Sequence, residues 1–173
     1  MIRRATIDDL EMVFRWRNSP EVMEQSTSQQ KVTIEEHENW FEHAIAGDFK
    51  LLWIIEPDAG TVRVDKEARK ASDMWLGYFG VVSIYVLKEF QGQGKGTTSL
   101  ISACREAFAH WEDVMELQAN IREDNLRSQS MFASCGFMLV HEAGQPGHVL
   151  MVKHRPQYNP VCCNSPLDRV WGT

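Results

Sequence analysis

A single α/β (α+β) domain is the fold class this sequence predicts, and three observations predict it. Residues 84–100, IYVLKEFQGQGKGTTSL, pass from β-branched strand residues through three glycines into a helical pattern. Elsewhere, stretches with apolar residues at helical spacing are interleaved with stretches that alternate at strand spacing. At 173 residues, 43% hydrophobic and 24% charged, the chain suits one domain with a sizeable core and lacks a disordered composition.

In chain order, residues 2–5 form a short strand, and Thr6 with Asp9 makes a capping box before a helix with Leu10, Val13 and Phe14 on its apolar face. Arg17-Asn18-Ser19-Pro20 ends it. Residues 21–32 are polar and break the period, so a loop or short irregular helix is expected there. A second capping box, Thr33 with Glu36, opens a helix that buries Trp40, Phe41, Ala44 and Ile45 and closes at Gly47. The apolar run 51–55, bounded by Pro57 and Gly60, is a central strand, and TVRVD after that turn pairs with it. Residues 66–73 read as a charged loop, and 75–78 either as a separate strand or as the lead-in to the strand at 81–87. A helix over 97–111 repeats Leu100, Ile101, Cys104, Ala107, Phe108 and Trp111; a strand over 114–121 alternates Met115, Leu117, Ala119 and Ile121 with polar residues. Asn125 caps a further helix ended by Gly136, and strands at 137–142 and 149–153 follow across a turn at 144–147. The domain thus spans 1–155, and a proline-bearing tail, 156–173, has little regular structure.

The net charge of −6 gives no support to nucleic-acid binding, and no apolar run reaches the ~20 residues of a membrane span. A cytoplasmic location without membrane association is expected, with the chain a monomer or homodimer. Cys104, Cys135, Cys162 and Cys163 make no metal-like spacing with the histidines, so no metal is expected; Cys104 and Cys135 sit at apolar helical positions as buried free thiols.

The glycine loop is an anion cradle, since it leaves amides unpaired at a helix N-terminus with no Cβ atoms to keep a ligand away. A Walker A loop requires Ser or Thr after the lysine and glycine six residues before it, where this chain has Gly96 and Glu89 around Lys95. A dinucleotide fingerprint requires Gly or Ala where Thr97 stands. What fits is Gln-x-x-Gly-x-Gly, as Gln91, Gly94 and Gly96, after a strand deep in the chain. This resembles the acetyl-CoA pyrophosphate loop of the GNAT superfamily of N-acetyltransferases. One helix and one strand later, Asn125, Ser128, Phe132, Gly136 and Phe137 resemble the same superfamily's second motif.

The resemblance implies a mixed, mostly antiparallel sheet flanked by about four helices, with its fourth and fifth strands, 81–87 and 114–121, splayed apart to admit the pantetheine arm as a surrogate strand. It implies acetyl-CoA as donor, with Ile84, Tyr85 and Val86 on the pantetheine and Gln91, Gly92, Gln93, Gly94, Lys95, Gly96 and Thr97 about the pyrophosphate. Asn125, Ser128 and Phe132 lie near the arm; for Asn125 a plain N-cap is an equal alternative, and Lys95 is either a phosphate partner or solvated.

Attack by a neutral amine on a thioester needs a route for the proton and donors for the oxyanion. The chain departs here from the common family pattern. Phe132 stands where a tyrosine acid is often found, and Val81 near where a carboxylate base is. The backbone N–H of Val86 is then the expected oxyanion donor, and Ser83 and Tyr85 the expected proton-handling groups, with core packing the alternative for Tyr85. His37, Glu35, Glu36 and His43 are candidates by position alone. The opening IRRATIDDLEMVFRWRNSPEV, with EEHENWF after it and VRVD later, resembles the branch that acetylates amino-sugar nucleotides, implying a small-molecule amine acceptor held by Arg15, Arg17 and Asn18. Acetylation of protein N-termini and a non-catalytic acyl-CoA-binding module are the alternatives.

Overall fold

Residues 51–55 are apolar at every position because both faces of their strand are covered. In β2 (Lys50–Ile55), Leu51, Trp53 and Ile55 point to one side and Leu52 and Ile54 to the other, all at most 2% exposed. Leu52 and Ile54 pack on Val13 of α1 (Leu10–Arg17) and on Phe41 and Ala44 of α3 (Ile34–Ala46). Leu51, Trp53 and Ile55 face Leu100, Ala103, Cys104 and Ala107 of α4 (Lys95–His110), where truncating the wholly buried Leu100 to Ala would cost about 2–5 kcal/mol. The one polar atom Trp53 carries into this core, its indole N–H, donates to Glu106 Oε2 at 2.7 Å.

The computed structural model describes residues 1–25, 30–71, 74–140 and 146–156. Around β2 lie β1 (Ile2–Arg4), β3 (Gly60–Ala71), β4 (Met74–Val86), β5 (Val114–Arg122), β6 (Met138–Val140) and β7 (His148–His154), forming one seven-stranded sheet ordered β1-β2-β3-β4-β5-β7-β6. Every neighbouring pair is antiparallel except β4 and β5, which run parallel, so the chain must cross over between them; α4 is that crossover. The shorter helices α2 (Pro20–Gln25) and α5 (Leu126–Ser134) complete the fold. It is the α+β architecture expected, with α2 the short irregular helix read within 21–32.

Both capping boxes form. Glu36 accepts from the Thr33 amide at 2.8 Å, the Glu36 amide returns a bond to the Thr33 hydroxyl at 3.2 Å, and Gly47 closes the helix in the left-handed region. Asp9 does more than cap, because besides accepting from the Thr6 amide at 2.9 Å it receives both Arg3 guanidinium nitrogens at 2.7 Å.

The charged loop expected at 66–73 is instead strand, as far as the described residues reach. β3 runs to Ala71 and β4 begins at Met74, so 75–78 is part of β4. The strand tolerates its charges because they find distant partners: Lys66 bonds Asp113 at 2.7 Å and lies 4.2 Å from the Tyr78 ring centroid, and Arg69 pairs with Glu116 of β5. The strand expected at 137–142 is described only as Met138–Val140. Half of the turn at 144–147, and the tail beyond Pro156 with Cys162 and Cys163, lie outside the described residues.

The Arg3 hydrogen bonds hold the Asp9 carboxylate below the usual carboxylate range. Asp9→Asn should therefore destabilise the protein by about 1 kcal/mol at neutral pH, the partly exposed Arg3 limiting the effect. A group whose folded pKa is depressed gives stability that is present above its unfolded pKa and lost as pH falls through the folded value. In urea titrations the gap between wild type and variant should close below about pH 4; a gap that persists undiminished into acid would contradict the ion pair.

Candidate active site

The parallel pair opens partway along its length. β4 and β5 are in register at Tyr78↔Val114, Gly80↔Leu117 and Val81↔Gln118, and among the described residues no further. Yet β4 stays paired to β3 as far as Val86↔Gly60, and β5 to β7 as far as Arg122↔His148. The two strands diverge while each remains bonded on its outer side.

Which backbone groups face the gap follows from antiparallel alternation. The Leu87 amide donates to the Ala59 carbonyl at 2.9 Å, so Ser83 and Tyr85 turn their backbone groups toward β3, while Val82, Ile84 and Val86 turn theirs toward the gap. On the facing strand the Arg155 amide donates to the Met115 carbonyl at 2.9 Å, which by the same rule aims Asn120 and Arg122 inward. Some of these groups are already used. Gln91 Nε2 donates to the Val86 carbonyl at 2.8 Å, and the Arg122 carbonyl accepts from the Asn125 amide at 3.0 Å and Gln129 Nε2 at 3.1 Å. Past Val81↔Gln118 the described residues show no β4–β5 ladder pairing for the inward backbone groups of Ile84, Val86 and Asn120. Tyr85, expected on the pantetheine, turns its backbone to β3 and lines the cleft beside Ile84.

At the mouth of the gap lies the glycine loop. Gly94 is the left-handed N-cap of α4 with φ of 74°, and a Cβ at Gly92 or Gly94 would meet nothing within 4 Å. Gly96 serves packing: a Cβ there would lie 2.8 Å from Met131 Sδ, so its absence lets α4 and α5 close together. Gln91 is a brace, its amide nitrogen on Val86 and its oxygen accepting from Arg127 at 2.6 Å. Gln93 Nε2 bonds the Glu89 carbonyl at 2.9 Å. Lys95 Nζ reaches the Glu56 carbonyl at 3.3 Å and lies 5.7 Å from the Phe90 centroid, so the ammonium is drawn back toward the end of β2. Thr97, partly buried, presents its carbonyl 3.7 Å from the Cys135 thiol.

Behind the gap is a cleft of about 490 Å³ between α1 and α3 on one side and β3, β4 and β5 on the other. Ser83, Ile84 and Tyr85 line it, as do Asn125, Ser128 and Phe132 from the α5 end. The Asn125 side chain accepts from the Ser128 amide at 3.1 Å, so it is the helix cap and a cleft wall at once. Phe132 is 2% exposed and packs edge-on to Phe137 at 4.9 Å.

Of the expected acceptor residues the cleft contains Arg17 but not Arg15, which is exposed, nor Asn18. Asn18 spends its amide on Val32, donating to its carbonyl at 3.0 Å and accepting from its N–H at 2.9 Å. Glu35 and His43 are also exposed and outside the cleft, whereas Glu36 and His37 line it.

Sequence reasoning missed Thr61, Arg63, Asn120, Arg122, His148 and the loop-bracing Arg127. Thr61 and Arg63 stand opposite Tyr85 and Ser83 across β3 and β4, so all four share the face beneath α1 and α3. The alternation in TVRVD carried that signal. Arg63 Nε is held by Asp65 at 2.8 Å, and its guanidinium lies 5.5 Å from the Trp40 centroid. Among the described residues, three arginines, 17, 63 and 122, line the cleft against one carboxylate, Glu36, in a chain of net charge −6.

Two titratable groups here are shifted by burial. The Tyr85 phenol is raised above its ordinary range, with the Thr61 side chain and Arg17 only partly offsetting this. The His37 imidazole is lowered, with the Leu10 carbonyl opposing and Arg17 reinforcing. Among the described residues no group of three His, Cys, Asp or Glu could hold a metal, and no helix is long and apolar enough to cross a membrane. Cys104 and Cys135 are buried free thiols.

A family model described as acetyltransferase (GNAT) domain matches residues 1–138. Among solved structures, ribosomal-protein-alanine N-acetyltransferase from Brucella melitensis is similar with a TM-score of 0.71 at 23% identity, over 90% of this chain and 99% of that one. Spermidine N-acetyltransferase from Vibrio cholerae, in complex with CoA and spermine, gives 0.72 at 15% identity over 89% and 94%. Aminoglycoside acetyltransferase AAC(6')-Ib, in complex with coenzyme A and kanamycin, gives 0.69 at 20% identity over 90% and 94%. No curated protein matches the chain significantly.

Burial of the Tyr85 phenol is directly measurable. In an ultraviolet pH titration, Tyr85→Phe should remove none of the phenolate absorbance that develops up to about pH 11; loss of a phenolate titrating near pH 10, the free value, would show that Tyr85 is solvated.

Proposed function

This chain belongs to the GNAT acetyltransferase family and draws its acetyl group from acetyl-CoA; from that premise we propose that it acetylates the primary amine of a small acceptor bearing phosphate, an amino-sugar nucleotide. The observation that carries this is the excess of arginine over carboxylate in the cleft. Arg63 is ion-paired with Asp65 and Arg122 is held by two hydrogen bonds to Asp124, both carboxylates lying outside the cleft, and the Arg122 guanidinium plane that phosphate oxygens would meet is thereby fixed. A polycationic acceptor would find like charge here, and the one cleft carboxylate, Glu36, is occupied in its capping box.

The residues present fit the donor. Two backbone edges with groups left over suit an arm that carries its own amides, and the open space above Gly92 and Gly94 suits a pyrophosphate. Ile84 and the Val86 edge would hold the arm, residues 92–97 the pyrophosphate, and Gln91 with Arg127 would keep the loop in place. When bound, acetyl-CoA supplies an activated acyl group on a thiol leaving group. The Val86 N–H, fixed on a strand and aimed into the gap, is the donor for the oxyanion. Burial keeps the Tyr85 phenol protonated at working pH, so it can hydrogen-bond the departing sulfur while water supplies the proton, with Ser83 beside it to order that water.

The test is thiol release from acetyl-CoA across a panel holding an amino-sugar nucleotide, an N-terminal alanine peptide, spermidine and an aminoglycoside. The nucleotide should give the highest kcat/KM, and Arg17→Ala should lower it about 10- to 100-fold, mainly through KM. Preference for spermidine or the aminoglycoside overturns the anionic acceptor; preference for the peptide assigns the protein-N-terminal reading. CoA binding with no turnover would favour a non-catalytic module. Gly94→Trp should abolish CoA binding with the fold intact, and undiminished affinity would sink the loop assignment.

A further inference from the structure

We propose that the imidazole Nε2 of His37 takes the proton from the acceptor amine, an inference that rests on the acetyl-transfer reading above. His37 is only 3% exposed and yet lines the cleft. Phe14 of α1 and Trp40 and Phe41 of α3 surround its ring at centroid distances of 5.3, 5.3 and 5.7 Å, an apolar collar that allows the imidazole little rotation. Its Nε2 is buried and makes no hydrogen bond among the described residues. Buried ring nitrogens are normally paired, so an orphan on a cleft wall marks a partner that arrives with the substrate.

Behind the ring the Leu10 carbonyl acts as a hydrogen-bond acceptor, which with Nε2 unpartnered favours the Nδ1–H tautomer and leaves the Nε2 lone pair without a protein partner among the described residues. Burial keeps the ring neutral where a solvated histidine would be partly charged, and Arg17 of α1 acts in the same direction. The other titratable and charged groups of the cleft are worse bases. Glu36 is closed in its capping box, Tyr85 is held protonated, and Arg17, Arg63 and Arg122 are cations. His148 of β7 also lines the cleft, with its Nδ1 3.2 Å from the Pro146 carbonyl.

The step balances as follows. The amine nitrogen's lone pair forms the C–N bond, the C–S bond breaks with its electron pair leaving on sulfur, and the proton shed by nitrogen goes to His37 Nε2. The imidazolium returns it to solvent, and the thiolate takes a proton from water. His37 therefore has to be neutral at the start of each turnover.

The experiment combines a histidine ¹³Cε1 NMR titration of the ligand-free protein with the pH dependence of kcat at saturating acceptor and acetyl-CoA. The resonance missing in His37→Gln should titrate below the ordinary imidazole range, and the acid limb of wild-type kcat should coincide with it. His37→Gln should lose about 10²- to 10⁴-fold in kcat together with that limb, with acetyl-CoA affinity unchanged. Retention of the acid limb in His37→Gln, or a loss under about tenfold, overturns the proposal. If His37→Gln does not fold, His37→Asn assigns the resonance; if neither folds, the wild-type histidine titration alone decides. An acid limb lying more than about one unit from every histidine pKa overturns the proposal, and coincidence with a low-titrating one supports it. A wild-type protein that turns over no acceptor overturns the acetyl-transfer reading itself, which the NMR titration separates from a failure of His37.

Discussion

The divergence of β4 from β5 is the constraint on which the rest of the structure depends. A buried strand edge must pair its amides and carbonyls or lose free energy for each one left over. β4 is tied to β3 through Val86 and β5 to β7 through Arg122, so neither can bend inward to meet the other past Val81↔Gln118. The surrounding elements partly compensate, with Gln91 on the Val86 carbonyl and Asn125 and Gln129 on that of Arg122. What they leave unpaired is an arm-shaped site. The same hydrogen bonds that limit the cost of the gap fix its edges, and Gln91 ties those edges to the phosphate-sized loop at its mouth.

Charge distribution then separates two halves of one cleft. The gap side is mostly backbone, Ile84 and the glycine loop, with Arg122 and Lys95 as its side-chain charges. The side under α1 and α3 gathers Arg17, Arg63 and the neutral His37 around aromatic rings. In a chain of net charge −6 this local reversal is what the proposed anionic acceptor would meet, in a site where burial lowers the histidine's pKa.

Much of this was legible in sequence because its causes are local. Capping boxes, the all-apolar run of β2, the glycine loop and the Asn125 cap each depend on residues within a few positions of one another. The misreading of 66–73 has the opposite origin. Lys66 and Arg69 look like loop residues until Asp113 and Glu116, each 47 positions away, are brought opposite them. Arg15 and Asn18 looked equivalent to Arg17, but Arg15 is exposed and Asn18 spends its side chain on hydrogen bonds to the Val32 backbone. His37 sits in a run of glutamates and reads as surface, although Trp40 and Phe41 lie three and four positions on, the spacing that places them on its own helix face. That pattern could have found it; the approach of Phe14 from α1 could not have been foreseen.

The central claim is that the unpaired edges of β4 and β5 are the acyl-donor site, and amide hydrogen exchange resolved by NMR tests it most directly. On addition of CoA, the amides of Ile84, Val86 and Asn120 should slow by at least about tenfold, while Tyr85, already bonded to β3, should change little. CoA bound with Ile84, Val86 and Asn120 exchanging as before would contradict the account.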